Sequence, residues 1–257
     1  MRGARDKIAK QFCADATKQS RVPPRKDSGL LRCARNDGAE GLVQNEDAVE
    51  DGWTPQNGTT MPLLAIVYFS ISGTTETLAH AVARGAAEMA EIALCRIVGD
   101  DIVAGRFRNA RLVETIDRAS AVAFGSPTYM GGPAAQFKAF ADASSDRWSQ
   151  QRWASKIAAG FTTGACAGGD QLHTLTYFSI LAAQHGMLWC GLDIPGGEDP
   201  SGRNRLGSQL GLATHLVDGA LPQSDLITAE YLGQRLANMV GRNDRVGAMR
   251  STFSPSP

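Results

Sequence analysis

The sequence predicts an α/β protein with one parallel β-sheet and helices on both faces of the sheet. From residue 61 onward, short apolar segments alternate with amphipathic segments, which is the order of a repeated strand–helix unit. The short segments are apolar throughout, as in strands that are buried on both faces. About 43 % of the 257 residues are apolar, which is enough for one large core.

Five strands are predicted from runs of Val, Ile, Leu, Ala and aromatic residues. The first run, LLAIVYF, is short, continuous and apolar. Helix-length segments separate the runs, so the strands are expected to run parallel, with their carboxyl ends at one edge of the sheet. A doubly wound sheet binds its ligands at that edge. The predicted strands are residues 63–69, 92–98, 120–125, 156–162 and 187–193.

The helices are predicted from apolar side chains that recur every three or four residues. In the first helix, Leu78 and Val82 fall on one face together with later apolar residues. Pro133 suits a first helical position, and Gly186 suits the end of a helix. The predicted helices are residues 75–90, 111–119, 132–143, 170–186 and 224–240.

The two ends of the chain differ in composition from its middle. Residues 1–60 are polar and charged without a helix or strand period, and we interpret them as a disordered extension. One hypothesis takes Met61 as the natural start, and the other takes the Arg-rich beginning as an organelle transit peptide, although its aspartates disfavour this. Residues 61–241 form the predicted domain. The polar tail at 242–257 is predicted to be disordered.

Charge and cysteine content exclude several classes of function. Lys plus Arg and Asp plus Glu both number 26, and this balance does not indicate a nucleic-acid-binding surface. The five cysteines form no CxxC pair and no close Cys/His cluster, so neither a metal site nor a disulfide framework is predicted. No apolar run approaches the roughly 20 residues of a membrane span. A cytoplasmic protein without an integral membrane span is expected.

The first loop, SISGTTE at 70–76, has the composition of a phosphate-binding loop without a cation. It matches neither the Walker A nor the GxGxxG pattern, because it has one glycine and no lysine. It offers four hydroxyl groups, on Ser70, Ser72, Thr74 and Thr75. Together with the free N–H groups of a helix start, these suit a terminal phosphate monoester. The alternative is an ordinary helix cap.

The second and third loops follow the third and fourth strands and are rich in small residues. In the second loop, GSPTYMGGP at 125–133, glycine and proline restrict the backbone, while Thr128 and Tyr129 supply polar and aromatic atoms. In the third loop, TTGACAGGDQ at 162–171, successive N–H groups can form an anion-binding nest. The alternative for the second loop is a rigid turn. No neighbouring residue in the sequence activates Cys166, so thiol catalysis is not predicted.

Together these segments resemble the flavodoxin superfamily, and residues 62 to about 240 look like the WrbA-type NAD(P)H:quinone oxidoreductases. The matching pieces are YFSISGTTETLAHAVARGA, AFGSPTYMGGPAAQFKAF, RW at 147–148, GFTTGACAGGDQ, AAQHGM and NRLGSQLG. The resemblance implies a flavodoxin-like three-layer sandwich with strand order 2-1-3-4-5. It also implies FMN as cofactor, NAD(P)H as cosubstrate and a quinone-like acceptor.

The resemblance assigns roles to individual residues, with two departures from the family. Met130 stands where the family commonly has an aromatic residue, and Gln184 stands where it commonly has the first of two histidines. Trp148 matches a tryptophan that walls the substrate pocket. No residue is identified as catalytic, although His185 and Tyr129 are candidate proton relays, with a core or surface role as the alternative. The implied FMN-binding residues are Ser70, Ile71, Ser72, Gly73, Thr74, Thr75, Pro127, Thr128, Tyr129, Met130, Thr163, Gly164, Ala165, Cys166, Ala167, Gly168 and Gln184.

The expected function is two-electron transfer from NAD(P)H through FMN to a quinone or a similar flat acceptor. An NADPH-dependent FMN or azo-compound reductase would use the same cofactor with a different acceptor. A flavodoxin-type electron carrier would bind FMN without oxidising NAD(P)H directly. A sensor of hydrophobic ligands would bind no flavin.

A homotetramer or homodimer is also expected, because family members of this type are commonly oligomers. Trp148 and Trp153 are predicted near the ligand edge of the sheet, where an apolar surface indicates a partner. The insert at 193–222 distinguishes the chain from simple electron carriers. The alternative is that its leucines pack on their own core. These leucines are Leu206, Leu210, Leu212 and Leu216.

Overall fold

The computed structural model describes residues 61–251, with side chains described as far as Arg242. The predictions for residues 1–60, including the two hypotheses on the start of the chain, and for 252–257 lie outside the described residues. The strands are β1 Leu63–Phe69, β2 Glu91–Ile97, β3 Ile102–Val103, β4 Arg106–Phe107, β5 Ala121–Tyr129, β6 Gly132–Pro133, β7 Ile157–Gly164, β8 Leu188–Trp189 and β9 Leu212–His215. The helices are α1 Thr74–Ala86, α2 Ala110–Arg118, α3 Ala135–Ala143, α4 Ser145–Ser149, α5 Gln171–Gln184 and α6 Gln223–Ser251.

The main sheet has the order β2-β1-β5-β7-β8, and its central pairs are all parallel. This confirms the predicted order 2-1-3-4-5 of the five principal strands. Tyr68 of β1 lies opposite Gly125 of β5, and Pro127 of β5 lies opposite Thr163 of β7. The carboxyl ends of β1, β5 and β7 therefore meet at one edge of the sheet, and the loops that follow them start side by side.

The two faces of the sheet carry separate clusters of core residues. Leu64 and Ile66 of β1 pack with residues of α1 and α6, whereas Ala65 and Val67 pack with residues of α2, α3 and α5. Successive strand residues point to opposite faces, so a continuous apolar run is required where both faces are covered. The prediction of helices on both faces is confirmed.

The predicted fifth strand at 187–193 is wrong in its extent. β8 covers only Leu188–Trp189 and pairs with the start of β7. The chain then leaves the sheet and returns as β9, which lies inside the predicted insert and pairs with Phe161–Gly164 at the end of β7. The return brings Gly211 so close to β7 that a Cβ atom there would stand 2.4 Å from the Gly160 carbonyl oxygen. β8 and β9 thus lie one after the other beside β7 as the last strand of the sheet. An apolar run alone does not reveal this division.

Because the insert returns to the sheet, most of its leucines are covered by the core of the same chain. Leu206 and Leu210 pack against the core, and Leu212 is buried in β9. Leu216 alone among the four is exposed, at 42 %. The alternative interpretation, in which these leucines cover their own core, therefore holds for three of them.

Other element boundaries differ from their predictions for local reasons. β5 continues to Tyr129 and turns into β6, so Pro133 pairs in a hairpin rather than beginning a helix. Gly186 has a φ of +69° directly after α5, as expected for a glycine at a helix end. α6 passes the predicted end at 240 and continues to Ser251, so the first part of the predicted tail is helical. No helix in the described part of the chain is long and apolar enough to cross a membrane.

Two glycines allow α1 and α6 to pack closely. A Cβ atom on Gly85 of α1 would stand 1.8 Å from the Glu230 carbonyl oxygen, and one on Gly233 of α6 would stand 2.0 Å from the Val82 carbonyl oxygen. Both obstacles are backbone atoms, which cannot turn aside. Backbone contact of this kind requires glycine at both positions.

We predict that Gly233→Ala lowers the free energy of unfolding by about 1–3 kcal/mol, because the added methyl group forces the two helices apart. Gly241→Ala is the matched control, since a Cβ atom on Gly241 of the same helix would meet no atom of the described residues within 4 Å. It should leave stability unchanged or raise it by up to about 1 kcal/mol through helix propensity. Urea unfolding at saturating FMN measures both, and equal effects of the two variants would contradict the close packing.

Candidate functional site

Hydroxyl groups connect the three loops at the carboxyl edge of the sheet. Thr75 Oγ1 of the first loop lies 3.3 Å from Thr163 Oγ1 of the third loop. Thr128 Oγ1 of the second loop lies 2.9 Å from Thr162 Oγ1 and 2.8 Å from Thr174 Oγ1. Segments that are far apart in sequence are thereby brought into one site. These segments are residues 70–76, 125–133 and 162–171.

The first loop ends in a helix start that no side chain caps. Gly73 adopts a φ of +89° and is the N-cap of α1, with no side-chain cap hydrogen bond. The Gly73 N–H donates to Ser70 Oγ at 3.2 Å, and Ser72 Oγ lies 3.2 Å from Thr74 Oγ1. The first N–H groups of an uncapped helix need an acceptor from elsewhere, and the helix dipole favours a negatively charged one.

An ion pair beside the first loop was not found by sequence reasoning. Arg96 near the end of β2 donates to the Ser70 carbonyl oxygen at 3.2 Å and to both carboxylate oxygens of Glu76, at 3.0 and 3.2 Å. Glu76 lies in the first turn of α1. A basic residue within the otherwise apolar strand IALCRIV was the signal that could have revealed it.

The second loop is a tight hairpin that exposes two large side chains. Met130 and Gly131 at its tip have φ angles of +48° and +81°, the pattern of a type I′ turn. Met130 is fully exposed, and Tyr129 is 45 % exposed. Ile71 of the first loop, at the same edge of the sheet, is 62 % exposed. Apolar side chains standing open at the edge suit contact with a flat aromatic ring.

The third loop is shaped by a buried glutamine at the start of α5. Gln171 is 4 % exposed, and its Nε2 donates to the Cys166 carbonyl oxygen at 2.7 Å. The close approach of Gln171 leaves no room for a side chain at Gly164, where a Cβ atom would stand 2.4 Å from Nε2. Residues 165–168 are exposed and carry small side chains, so a ligand can approach their backbone.

Trp148 and Gln184 are not brought to the three loops within one chain. α5 begins at the third loop and runs back for 14 residues, about 20 Å, so Gln184 lies at the opposite edge of the sheet. Gln151 Nε2 donates to the carbonyl oxygens of both Trp148 and Gln184, at 2.9 and 3.2 Å, which places them together there. The predicted position of Trp148 near the ligand edge is therefore wrong for a single chain.

His185 is a core residue in this chain. It is 1 % exposed, its Nε2 lies 2.8 Å from Ser144 Oγ, and its ring centroid lies 4.3 Å from that of Trp153. Burial lowers the pKa of His185 to about 4, so the ring is neutral near pH 7. Trp153 is fully buried as well and does not contribute to an exposed surface. For His185, the interpretation as a core residue fits the geometry better than that of a proton relay.

Other parts of the surface offer less defined sites. A groove of about 370 Å³ lies along α6 beside Tyr231 and Arg235, and another of about 320 Å³ lies between Arg205 and Leu221. Neither is lined by the three loops, where Ile71, Tyr129, Met130 and residues 165–168 are exposed and together form what we call the open shelf. Between residues 61 and 242, no group of three or more His, Cys, Asp or Glu side chains has an arrangement suited to a metal ion.

Comparison with known proteins relates the chain to flavoproteins. The model of the NADPH-dependent FMN reductase family matches residues 62–191. Flavodoxin FldP of Pseudomonas aeruginosa is 34 % identical over 187 residues, which cover 70 % of this chain and 97 % of the relative. The NAD(P)H dehydrogenase (quinone) of Archaeoglobus fulgidus is 32 % identical over 199 residues, with 70 % and 97 % covered.

A solved structure supports the same relationship. The WrbA-like flavodoxin of Agrobacterium tumefaciens aligns with a TM-score of 0.56 at 36 % identity and covers 71 % of this chain and 99 % of its own. The family match spans the segments that carry all three loops. The chain therefore belongs to the NADPH-dependent FMN reductase family and has the flavodoxin-like fold.

Proposed function

We propose that this chain transfers two electrons from NAD(P)H through FMN to a quinone or a similar flat acceptor. It is an FMN-dependent oxidoreductase by family, with NAD(P)H as cosubstrate. The observation that carries the proposal is the junction of three loops beside an uncapped helix start, with apolar side chains exposed at the same edge. The uncapped helix start suits a phosphate, and the exposed apolar side chains suit a flat ring.

The residues of the three loops fit FMN. The hydroxyls of the first loop and the N–H groups at the start of α1 would hold its phosphate. Thr128, Tyr129 and Met130 would border the ring and its side chain, and the backbone at 164–168 would meet the pyrimidine edge. When bound, FMN supplies the redox chemistry, because its ring accepts a hydride and passes on two electrons.

The protein orients the reactants and stabilises charge rather than supplying a base. Backbone N–H groups at 164–168 are suited to stabilise negative charge at the pyrimidine edge, as in an oxyanion hole. Partial burial raises the pKa of Tyr129 further above neutral pH, where its hydroxyl is protonated and can donate a hydrogen bond. The open shelf would leave room for NAD(P)H and then for the acceptor, in turn.

The most specific support for a quinone comes from relatives named NAD(P)H dehydrogenase (quinone), three of which share 28–32 % identity with the chain. The insert between β8 and β9 also favours the enzyme branch over a simple carrier. We propose a cytoplasmic location, since Cys166 and Cys190 are not in disulfides, as is usual for cysteines of that compartment.

An electron carrier is the second candidate, because flavodoxin FldP shares 34 % identity with the chain. An open shelf that is accessible to a partner protein is also compatible with that role. A reductase of free FMN or of azo compounds is the third, in line with the description of the family.

We predict that NAD(P)H, added without oxygen to the FMN-loaded protein, bleaches the flavin absorbance and that benzoquinone restores it. Turnover with benzoquinone should exceed turnover with free FMN or an azo dye. Comparison of NADH with NADPH in the same assay identifies the preferred donor. A flavin that stays oxidised with both nucleotides but accepts electrons from a reduced carrier protein would support the carrier instead.

For the first loop, we predict that the double variant Ser72→Ala/Thr74→Ala weakens FMN binding by on the order of a hundredfold. Each hydroxyl bond to a charged phosphate contributes about 1.5–3 kcal/mol, and part of this is regained by water. Thr77→Ala is the control, because that hydroxyl is bonded to the Gly73 carbonyl oxygen one turn along the helix. FMN titration by fluorescence quenching measures all three proteins. Equal affinities would remove the first loop from the site.

Exposed apolar side chains along α5 and beyond its end favour a homo-oligomer. Trp148, at the opposite edge of the sheet, is 48 % exposed, and α5 exposes Leu172 at its start and Ile180 in its second half, at 62 % and 55 %. Leu188, just beyond α5, is 52 % exposed. A second copy of the chain would cover these side chains and would be needed to bring Trp148 to the shelf of its neighbour. We therefore propose a homotetramer or homodimer whose substrate pocket includes Trp148 and Gln184.

We predict that Ile180→Glu lowers both the molar mass by light scattering and the turnover of quinone, while FMN stays bound. A charge on the α5 surface opposes burial of that face against a second copy. Val103→Glu is the matched control, because Val103 is equally open, at 58 %, on the small hairpin of β3 and β4. A monomer with full activity at nanomolar concentration would contradict the shared pocket.

A further inference from the structure

Glu76 places a negative charge beside the position that we propose for the FMN phosphate, which is also negatively charged. It lies in the first turn of α1, directly after the phosphate-binding residues of the first loop. A carboxylate at a helix start is favourable by itself, because the helix dipole attracts it. Beside a phosphate it becomes unfavourable, since two like charges repel each other over several ångströms even at a partly exposed site.

Two side chains hold the Glu76 carboxylate in place, and one of them, Arg96, balances its negative charge. Arg96 Nη1 donates to both of its oxygens, at 3.0 and 3.2 Å. The buried Tyr68 hydroxyl donates to Oε1 at 3.3 Å. The Arg96 guanidinium is thus bonded to a carboxylate that cannot turn freely, while its Nη2 remains available for another acceptor, a geometry that lysine does not reproduce.

The same guanidinium also holds the backbone of the first loop. Arg96 Nη2 donates to the Ser70 carbonyl oxygen at 3.2 Å, at the point where β1 passes into the loop. Ser70 Oγ in turn accepts the Gly73 N–H, which supports the positive φ of Gly73 ahead of α1. One side chain therefore links the end of β2, the bend of the first loop and the first turn of α1.

We infer that Arg96 is a positioning residue for the phosphate of FMN, acting through Glu76 and Ser70. This inference rests on the proposed function of the first loop. Arg96 removes the repulsion that Glu76 would exert on the phosphate, and it fixes the loop backbone in the conformation that directs N–H groups to the ligand. The phosphate itself is held by neutral donors, and the positive charge of Arg96 balances the negative charge of Glu76.

The test compares FMN with riboflavin, which has the same ring and no phosphate. Arg96→Met should weaken FMN binding about tenfold at low salt and leave riboflavin binding unchanged, because the unpaired Glu76 repels the phosphate alone. Added salt should reduce the loss. Arg84→Met is the matched control, since Arg84 forms an exposed ion pair with Glu230 at the other end of α1. It should change neither affinity.

Changes at Glu76 test the charge argument independently. Glu76→Gln should tighten FMN binding a few-fold at low salt, without effect on riboflavin, because the positive charge of Arg96 is then no longer balanced and attracts the phosphate. Glu76→Gln/Arg96→Met should regain most of the affinity lost in Arg96→Met. Arg96→Lys should regain only part, because an ammonium group does not span Glu76 and Ser70 together. The Glu76 variant gives a result even where the Arg96 variants fold poorly.

The outcomes separate this inference from the proposed function. Equal losses for FMN and riboflavin in Arg96→Met would assign Arg96 a merely structural role and overturn the inference, as would unchanged FMN affinity in both Arg96→Met and Glu76→Gln. Either result leaves the phosphate loop intact if Ser72→Ala/Thr74→Ala still weakens FMN binding. If that double variant has no effect either, the assignment of the first loop itself fails.

Discussion

Parallel pairing of β1, β5 and β7 is the constraint on which the rest of the structure depends. Because these strands run in one direction and in register, their carboxyl ends reach the same edge, and the loops after them start side by side. The hydroxyl contact between Thr75 and Thr163 joins the first and third loops across 88 positions of the chain. Helices on both faces hold the sheet, and the site is a consequence of where the strands end.

The first loop, which we propose as the site of the FMN phosphate, contains no lysine or arginine. Its backbone bends at Gly73, its hydroxyls line the bend, and the helix behind it begins without a side-chain cap. The neighbouring Arg96 is joined to Glu76, so the pair adds no net charge. Attraction of an anion then depends on oriented N–H groups and hydroxyls, which are directional and favour a phosphate in one position.

The two edges of the sheet, at the carboxyl and amino ends of its strands, carry different sets of the residues that we assign to the site. The carboxyl edge presents an open shelf with exposed Ile71, Tyr129 and Met130, while the opposite edge carries Trp148 and Gln184. α5 separates the edges by its own length, so no side-chain movement within one chain unites them. In the homo-oligomer that we propose, a second copy of the chain would close the shelf that one chain leaves open.

The sequence by itself determined the fold class and the three loops, because these follow from local apolar runs and from glycine, proline and hydroxyl residues, whereas the order of the strands was implied by the resemblance to the flavodoxin superfamily. Tertiary structure decided what depends on contacts between distant segments. The split of the fifth strand into β8 and β9, the burial of His185 under Trp153 and the pairing of Arg96 with Glu76 each join residues from different elements. A periodic pattern records which face of an element is apolar, but it does not record which partner covers that face or how far a helix carries its last residue from its first.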